Sequence, residues 1–161
     1  MAYDFAGPWT PLSGHHAQLY PSHLNTPSGS AAITYCLANG VPSQLILLGI
    51  PCYGRSFLAA TGPGQAYTGH GGENENGTFE FRDLPRPGAS EGVDERACAA
   101  YCVGGDGGFV SYDVPATVTA KAGFVRAARL GGLFYWSGTE DKVDAGEEGS
   151  LVMAGYCALH Q

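Results

Sequence analysis

Residues 111–136, SYDVPATVTAKAGFVRAARLGGLFYW, hold a strand end, a helix and a second strand in one run. Pro115 falls in the first turn of the helix, where its missing N–H would have no intrahelical partner anyway. Val118, Ala122, Val125 and Arg129 recur at three- and four-residue steps along one face, and Gly131-Gly132 ends it. LFYW after the glycines is short, wholly apolar or aromatic, and of strand length. A helix that delivers the chain straight into such a strand is half of a parallel βα repeat.

The rest of the chain extends that repeat. MAYDF (1–5) reads as a short apolar strand, followed by a loop rich in Pro, Ser, His and Asn from Ala6 to about Pro27. Ser28 or Ser30 caps a helix to about Asn39, with Ile33, Cys36 and Leu37 on one face. Gly40 suits a C-cap with positive φ, and Pro42 blocks continuation. SQLILLGIPCYG (43–54) is a nearly unbroken apolar run, as expected of a parallel strand covered on both faces. The end of the chain, EEGSLVMAGYCALHQ, is a helix capped by Ser150. From Leu58 to Tyr112 the texture changes to Gly/Pro turns, a strand GTFEFRDL, a short Ala-rich helix around Arg96–Tyr101 and a strand GGFVSYD. The expected fold is α/β, in the order β-α-β-(insert)-α-β-α. Residues 1–57 and 113–161 form the C-terminal part of a (β/α)8 TIM barrel, its last three βα units, and 58–112 form a small α+β insertion domain. Three parallel strands alone leave very apolar edges unpaired, whereas a closed barrel has eight strands and typically ~250 residues. The remaining strands are expected ahead of Met1.

Composition narrows the partners. The 161 residues are 44% apolar and only 14% charged, with 25 glycines and a net charge of −7. No Lys/Arg cluster offers itself to nucleic acid or an anionic membrane surface, and no apolar run reaches ~18 residues, so no membrane span is expected. A neutral ligand suits this balance. Met1 is followed at once by aromatic and acidic residues, so this chain shows no signal peptide. Cys36, Cys52, Cys98, Cys102 and Cys157 are odd in number and lack metal-site spacing, and read as free, mostly buried thiols. Cys98 and Cys102, four apart, suit one helix face. Asn76-Gly77-Thr78 is a sequon, meaningful only in a secreted protein. His15-His16 and His70 lie in polar loops without a third ligand and read as solvated, so neither metal nor cofactor is expected.

Three strand-end motifs carry a resemblance: MAYD (1–4), GIPCYGRSF (49–57) and residues 111–136, in this order. Together they resemble the sixth, seventh and eighth strands of glycoside hydrolase family 18, the chitinases and chitinase-like lectins. GQAYTG (64–69), ENGTFEFRDLP (75–85) and SLVMAG (150–155) match as well, most like the secreted fungal chitinases. The resemblance implies that 58–112 is the chitinase insertion domain, that chitin or chito-oligosaccharide is the ligand, and that the parent protein is extracellular.

It also implies site residues. Met1, Tyr3 and Asp4 match the family's M-x-Y-D motif, in which Tyr and Asp contact the sugar at the cleavage site. Strand alternation puts Met1 and Tyr3 on one side. Trp136 matches the tryptophan that floors that subsite, where an indole face packs on the axial C–H groups of a pyranose. Tyr53 and Arg55 match residues that contact sugars or hold the insertion. Glu75 matches a carboxylate on the insertion wall. Trp9 either adds a stacking surface or packs on its loop.

The family's acid, the Glu of D-x-x-D-x-D-x-E on the fourth strand, has no counterpart. In that family the substrate's own acetamido carbonyl attacks the anomeric carbon. DKVDAGEE imitates the motif with Asp141, Asp144 and Glu148, but Gly146 replaces the third Asp, and the stretch reads as a solvated loop leading to the last helix. Two readings follow. Either the chain is the C-terminal portion of a chitinase, inactive alone, or it is a non-catalytic, lectin-like chitin binder. Its open sheet edges would be covered by the missing part of the barrel or by self-association.

Overall fold

The computed structural model describes residues 1–72, 75–142 and 149–160. The elements run α1 (Gly29–Ala38), β1 (Leu47–Pro51), β2 (Tyr53–Phe57), β3 (Thr78–Glu80), β4 (Ser90–Asp94), β5 (Ala99–Gly104), β6 (Gly108–Tyr112), α2 (Pro115–Ala127), β7 (Gly132–Trp136) and α3 (Leu151–Leu159). They make a two-stranded parallel sheet, β1-β7, and a five-stranded antiparallel sheet ordered β3-β2-β6-β5-β4. None of the described helices is long and apolar enough to cross a membrane.

The apolar run 43–54 is divided between these sheets. Cys52 is the joint: its N–H donates to Trp136 O (2.8 Å) beside β7, and its carbonyl accepts from Phe81 N–H (2.8 Å). β1 then pairs Leu48 with Leu133 and Pro51 with Trp136, while β2 enters the antiparallel sheet with all five residues buried. Tyr53–Phe57, ahead of the expected boundary at 57/58, is thus laddered to residues behind it. From Leu48 onward the run is buried, as expected, whereas Leu45 and Leu47 are exposed. What periodicity could not show is that one run serves two sheets.

MAYDF is not a strand. Residues 1–4 join no ladder; Asp4 turns away with φ 64°, and Phe5 N–H donates to His16 O (2.9 Å) in the following loop. The segment still lies beside β1. A Cβ at Gly49 would come within 2.9 Å of the Tyr3 ring and 2.8 Å of Phe134, so glycine is what lets these rings meet over the strand. Met1 and Tyr3 do not share an environment: Met1 is exposed and Tyr3 buried.

The Ala-rich stretch 96–101 is not a helix. Asp94 Oδ1 accepts from Arg96 N–H and Ala97 N–H (3.0 Å each), closing a turn that joins β4 to β5, and Cys98 takes φ 51°. Ala100 and Cys102 then pack with Val110, Val118 and Leu151. Burial of a whole strand outweighs an alanine helix propensity of only a few tenths of a kcal/mol per residue. Cys98 and Cys102 therefore lie on no helix face, and no disulfide joins any of the five cysteines. Of GTFEFRDL, only Thr78–Glu80 is strand, and Phe81–Asp83 coils into a 3-10 turn.

The helices follow their signals. Ser28 Oγ accepts from Ala31 N–H (3.4 Å), and Gly40 takes φ +83° after α1. Of the expected α1 face only Ile33 is fully buried, and Leu37 is exposed. Val118, Ala122 and Val125 line the buried face of α2, whereas Arg129 is exposed past its end with φ 53°. Ser150 Oγ accepts from Met153 N–H (3.1 Å) at the start of α3. That helix presses so closely on β7 that a Cβ at Gly155 would run into the Tyr135 hydroxyl.

Asp141 corrects the solvated-loop expectation. It is buried, and its carboxylate accepts from Ser150 Oγ (2.7 Å), Leu151 N–H and Val152 N–H (3.0 Å each), a second cap on α3. The rest of the imitation motif, Asp144, Gly146 and Glu148, lies outside the described residues.

Candidate functional site

The centre of the site is Asp4. Its left-handed backbone turns the carboxylate toward β2, where Tyr53 and Arg55, two apart, project from one face. Tyr53 O–H donates to Asp4 Oδ1 at 2.6 Å and Arg55 Nε–H at 2.7 Å, and His16 Nδ1 lies 3.5 Å from the same oxygen. Burial alone would raise the Asp4 pKa. The nearby His16 ring and the hydrogen bonds from Arg55 and Tyr53 outweigh it, and the carboxyl is held well below the usual carboxylate range. Burial and then the hydrogen bond to Asp4 push the Tyr53 hydroxyl far up. The group is a fixed anion ringed by donors. Every one of these contacts is to Oδ1; no hydrogen bond among the described residues reaches Oδ2.

Arg55 is buried and extends past Asp4. Its Nη1–H donates to Asn76 O (2.8 Å), and its guanidinium lies over the Trp9 ring at 4.5 Å. The guanidinium thus joins the loop after the first segment to the turn before β3. Trp136, at the end of β7, is 61% exposed, an unusual state for an indole at a strand end. Phe134 and Trp136 are two apart, so they share a side of β7, and Phe134 carries Tyr3 edge-on at 6.3 Å.

Asp4, Tyr53, Arg55 and Trp136 line one open cleft of about 190 Å³ with Asn76, Thr78 and Glu140. Of the other candidates, Tyr3 supports the cleft from beneath through an edge contact with Tyr53 (6.2 Å). Burial and then the Asp4 charge raise its pKa. Met1 is exposed and lines no part of the cleft, and Glu75 stands exposed one residue before Asn76.

The histidines depart from expectation. His15 is 2% exposed and His16 fully buried. The loop that carries them passes behind Asp4, where His16 N–H donates to Ser111 Oγ (3.1 Å) and the His16 ring lies 5.2 Å from that of Tyr53. Burial lowers the pKa of both, against the pull of Asp94 on His15 and of Asp4 on His16. Residues in a polar loop carry no local signal of such burial. Glu140 did carry one: Ser137-Gly-Thr-Glu140 has capping-box spacing, and Glu140 Oε2 accepts from Ser137 N–H (3.2 Å).

An exposed indole face beside a fixed carboxylate, a guanidinium and amide groups suits a ligand with C–H faces and many hydroxyls. The family described as Glycosyl hydrolases family 18 matches residues 1–141. Chitinase 1 of Aphanocladium album and Endochitinase 1 of Metarhizium robertsii are each 36% identical over 148 residues. In both cases the match covers 88% of this chain and 35% of the relative. The chain thus spans about a third of the length of these curated relatives. A class V chitinase from Nicotiana tobaccum has a TM-score of 0.87 at 29% identity, over 100% of this chain and 48% of its own. A Cycas revoluta GH18 chitinase solved in complex with (GlcNAc)3 has 0.79 at 32%, over 99% and 45%. Matched in sequence over 1–141 and in fold over essentially its whole length, the chain belongs to glycosyl hydrolase family 18.

Proposed function

We propose that these residues form the sugar-holding part of a chitinase site, acting on β-1,4-linked N-acetylglucosamine polymers. The observation that carries this reading is the cleft in which Tyr53 and Arg55 converge on Asp4 beside the open face of Trp136. Relatives named chitinases, one solved with bound (GlcNAc)3, supply the substrate class. In this reading β1, β7 and the extended segment carrying Tyr3 are neighbouring positions of a (β/α)8 barrel. The five-stranded sheet is the insertion that walls the cleft, and the enzyme works outside the cell.

The roles follow from the geometry. Trp136 is the floor for a pyranose ring. Asp4, kept ionised, accepts from a sugar hydroxyl or the acetamido N–H through Oδ2. Tyr53 and Arg55 keep that carboxylate in place, so they position rather than react. Hydrolysis is retaining and substrate-assisted, the acetamido carbonyl attacking the anomeric carbon. It needs an acid, and no D-x-x-D-x-D-x-E stretch occurs in the 161 residues. Asp4 cannot substitute, because a carboxyl with a depressed pKa holds no proton to give at neutral pH.

The 161-residue chain is therefore expected to give no turnover of a fluorogenic chitobioside above blank; clear turnover would overturn the missing-acid assignment. The second reading, a lectin-like binder, is favoured by the presence of holding residues without the acid. Calorimetry with chitotetraose tests the cleft under both. Trp136→Ala should weaken binding at least about tenfold, since truncating an aromatic anchor removes about 2 kcal/mol or more. Unchanged affinity would remove Trp136 from the site.

A further inference from the structure

His15 and His16 are adjacent in an extended loop and serve opposite sides of it. His16 backs Asp4, whereas His15 lines a second cavity of about 350 Å³ that shares no residue with the cleft. That volume lies at the low end of the range of about 300–1,000 Å³ in which small-ligand sites occur. His23, Asp94 and Arg96 supply its other polar side chains besides Ser22, and Pro21, Leu24 and Pro63 much of its apolar wall.

The hydrogen-bonding inventory defines what can enter. Ser111 Oγ accepts from His16 N–H and can also donate to His15 Nδ1, 3.4 Å away, while the Asp94 carboxylate oxygen 3.4 Å from Nε2 favours a hydrogen on that nitrogen. A neutral His15 then carries its own hydrogen on Nε2. That N–H is buried and makes no hydrogen bond; it sits 3.4 Å from Asp94 Oδ2 without bonding geometry. Asp94 Oδ1 is occupied by the two N–H groups of its turn, which leaves Oδ2. Tyr101 and Phe109 hold the His15 ring at 6.0 and 5.8 Å, so the imidazole is not free to look elsewhere.

An unused donor and an unused acceptor 3.4 Å apart fit one kind of group. It must accept from His15 and donate to Asp94, which a hydroxyl does and an ionised carboxylate or an ammonium does not. A metal ion is disfavoured, because the histidine nitrogen facing the cavity bears hydrogen instead of a lone pair. An anion would meet the Asp94 carboxylate. Arg96 and His23, whose side chains make no hydrogen bond or ion pair among the described residues, are left to receive further hydroxyl or ring oxygens, and the prolines pack C–H faces. We propose that this cavity is a binding site for a neutral saccharide or polyol, held through vicinal hydroxyls by His15, Asp94 and Arg96. The proposal does not rest on the chitin reading, since nothing in the cavity selects an acetamido group.

The test is a titration of the ¹⁵N-labelled protein with glucose, followed by backbone and imidazole shifts, with sodium phosphate in a parallel arm. Glucose lacks the acetamido group, so failure here and failure of the chitin reading are distinguishable. Saturable shifts at His15, His23, Asp94 and Arg96 are expected with glucose and not with phosphate. Arg96→Ala removes an exposed side chain that ties nothing together, and should weaken the response about tenfold, as for loss of one charge-assisted hydrogen bond. The absence of shifts, shifts confined to the Asp4–Trp136 cleft, a response to phosphate alone, or an unchanged response in Arg96→Ala would each overturn the proposal.

Discussion

Asp113→Ala is expected to destabilise the protein by about 3–5 kcal/mol, a large fraction of the total stability of a domain this size. Asp113 follows β6 and is 1% exposed; Lys121, on α2, is 2% exposed. Lys121 Nζ donates to both carboxylate oxygens, at 2.7 and 2.6 Å, and to Ala17 O at 2.6 Å. Thr117 Oγ1 adds a 2.7 Å bond to Asp113 Oδ1. Removal of the carboxylate leaves an ammonium in the interior with one carbonyl for company, and that orphaned charge is the main cost. The pair joins three parts of the chain: the strand end, the helix, and the long loop that carries His15 and His16. Replacement of both partners by apolar residues of similar volume, as in Asp113→Leu with Lys121→Met, should therefore cost much less than either change alone. Urea midpoints of the two single variants and the double variant check this. Single-variant losses under about 1 kcal/mol would mean that water reaches the pair.

Acidification should unfold the protein in two stages. His15 and His16 have folded pKa values below the usual imidazole value of about 6.5, burial being the leading cause for both. The unfolded chain thus takes up protons at these positions more readily than the folded one. Their contribution to stability is fully present above pH 6.5 and is lost as the pH falls toward the folded values. Each proton is worth about 1.4 kcal/mol per pH unit, so the two histidines give a slope of up to about 2.7 kcal/mol per unit. Asp4 adds a second stage: its folded pKa lies below 3.8, so its contribution holds above that pH and disappears further down. Denaturation midpoints should be level from pH 8 to 7 and fall steeply by pH 5. A midpoint unchanged between pH 7 and 5 would contradict the burial of both rings.

The candidate site was legible where chemistry and position coincide. Asp4, Tyr53, Arg55 and Trp136 are named by the resemblance of MAYD, YGRSF and LFYW to family 18 strand ends, and these four share the cleft. Met1 and Glu75 lie outside it. Met1 is named by its match to the M-x-Y-D motif, and alternation puts it on the side of Tyr3; residues 1–4 join no ladder, and Met1 is exposed. His16 was invisible for a different reason. Its neighbours in sequence are polar, but Tyr53, Asp4 and Ser111 enclose it from 37 or more residues away on one side and from across the loop on the other. Lys121 could have been found: it falls among Val118, Ala122 and Val125 on one helical stripe, and a lysine there demands a buried partner.

The amino-acid sequence alone determined the parts whose causes are local. Ser28, Pro115, Gly40 and Ser150 punctuate the helices because caps and positive φ depend on a few adjacent residues, and apolar runs mark strands β1 and β7. Only the tertiary structure decided which sheet each run joins: the division of 43–54 at Cys52, and the hairpin where alanines favoured a helix. Only it decided that two loop histidines turn inward, His16 behind Asp4 and His15 toward a second cavity. Those outcomes depend on ladder partners and charges far along the chain, and the free energy of meeting them exceeds any local preference.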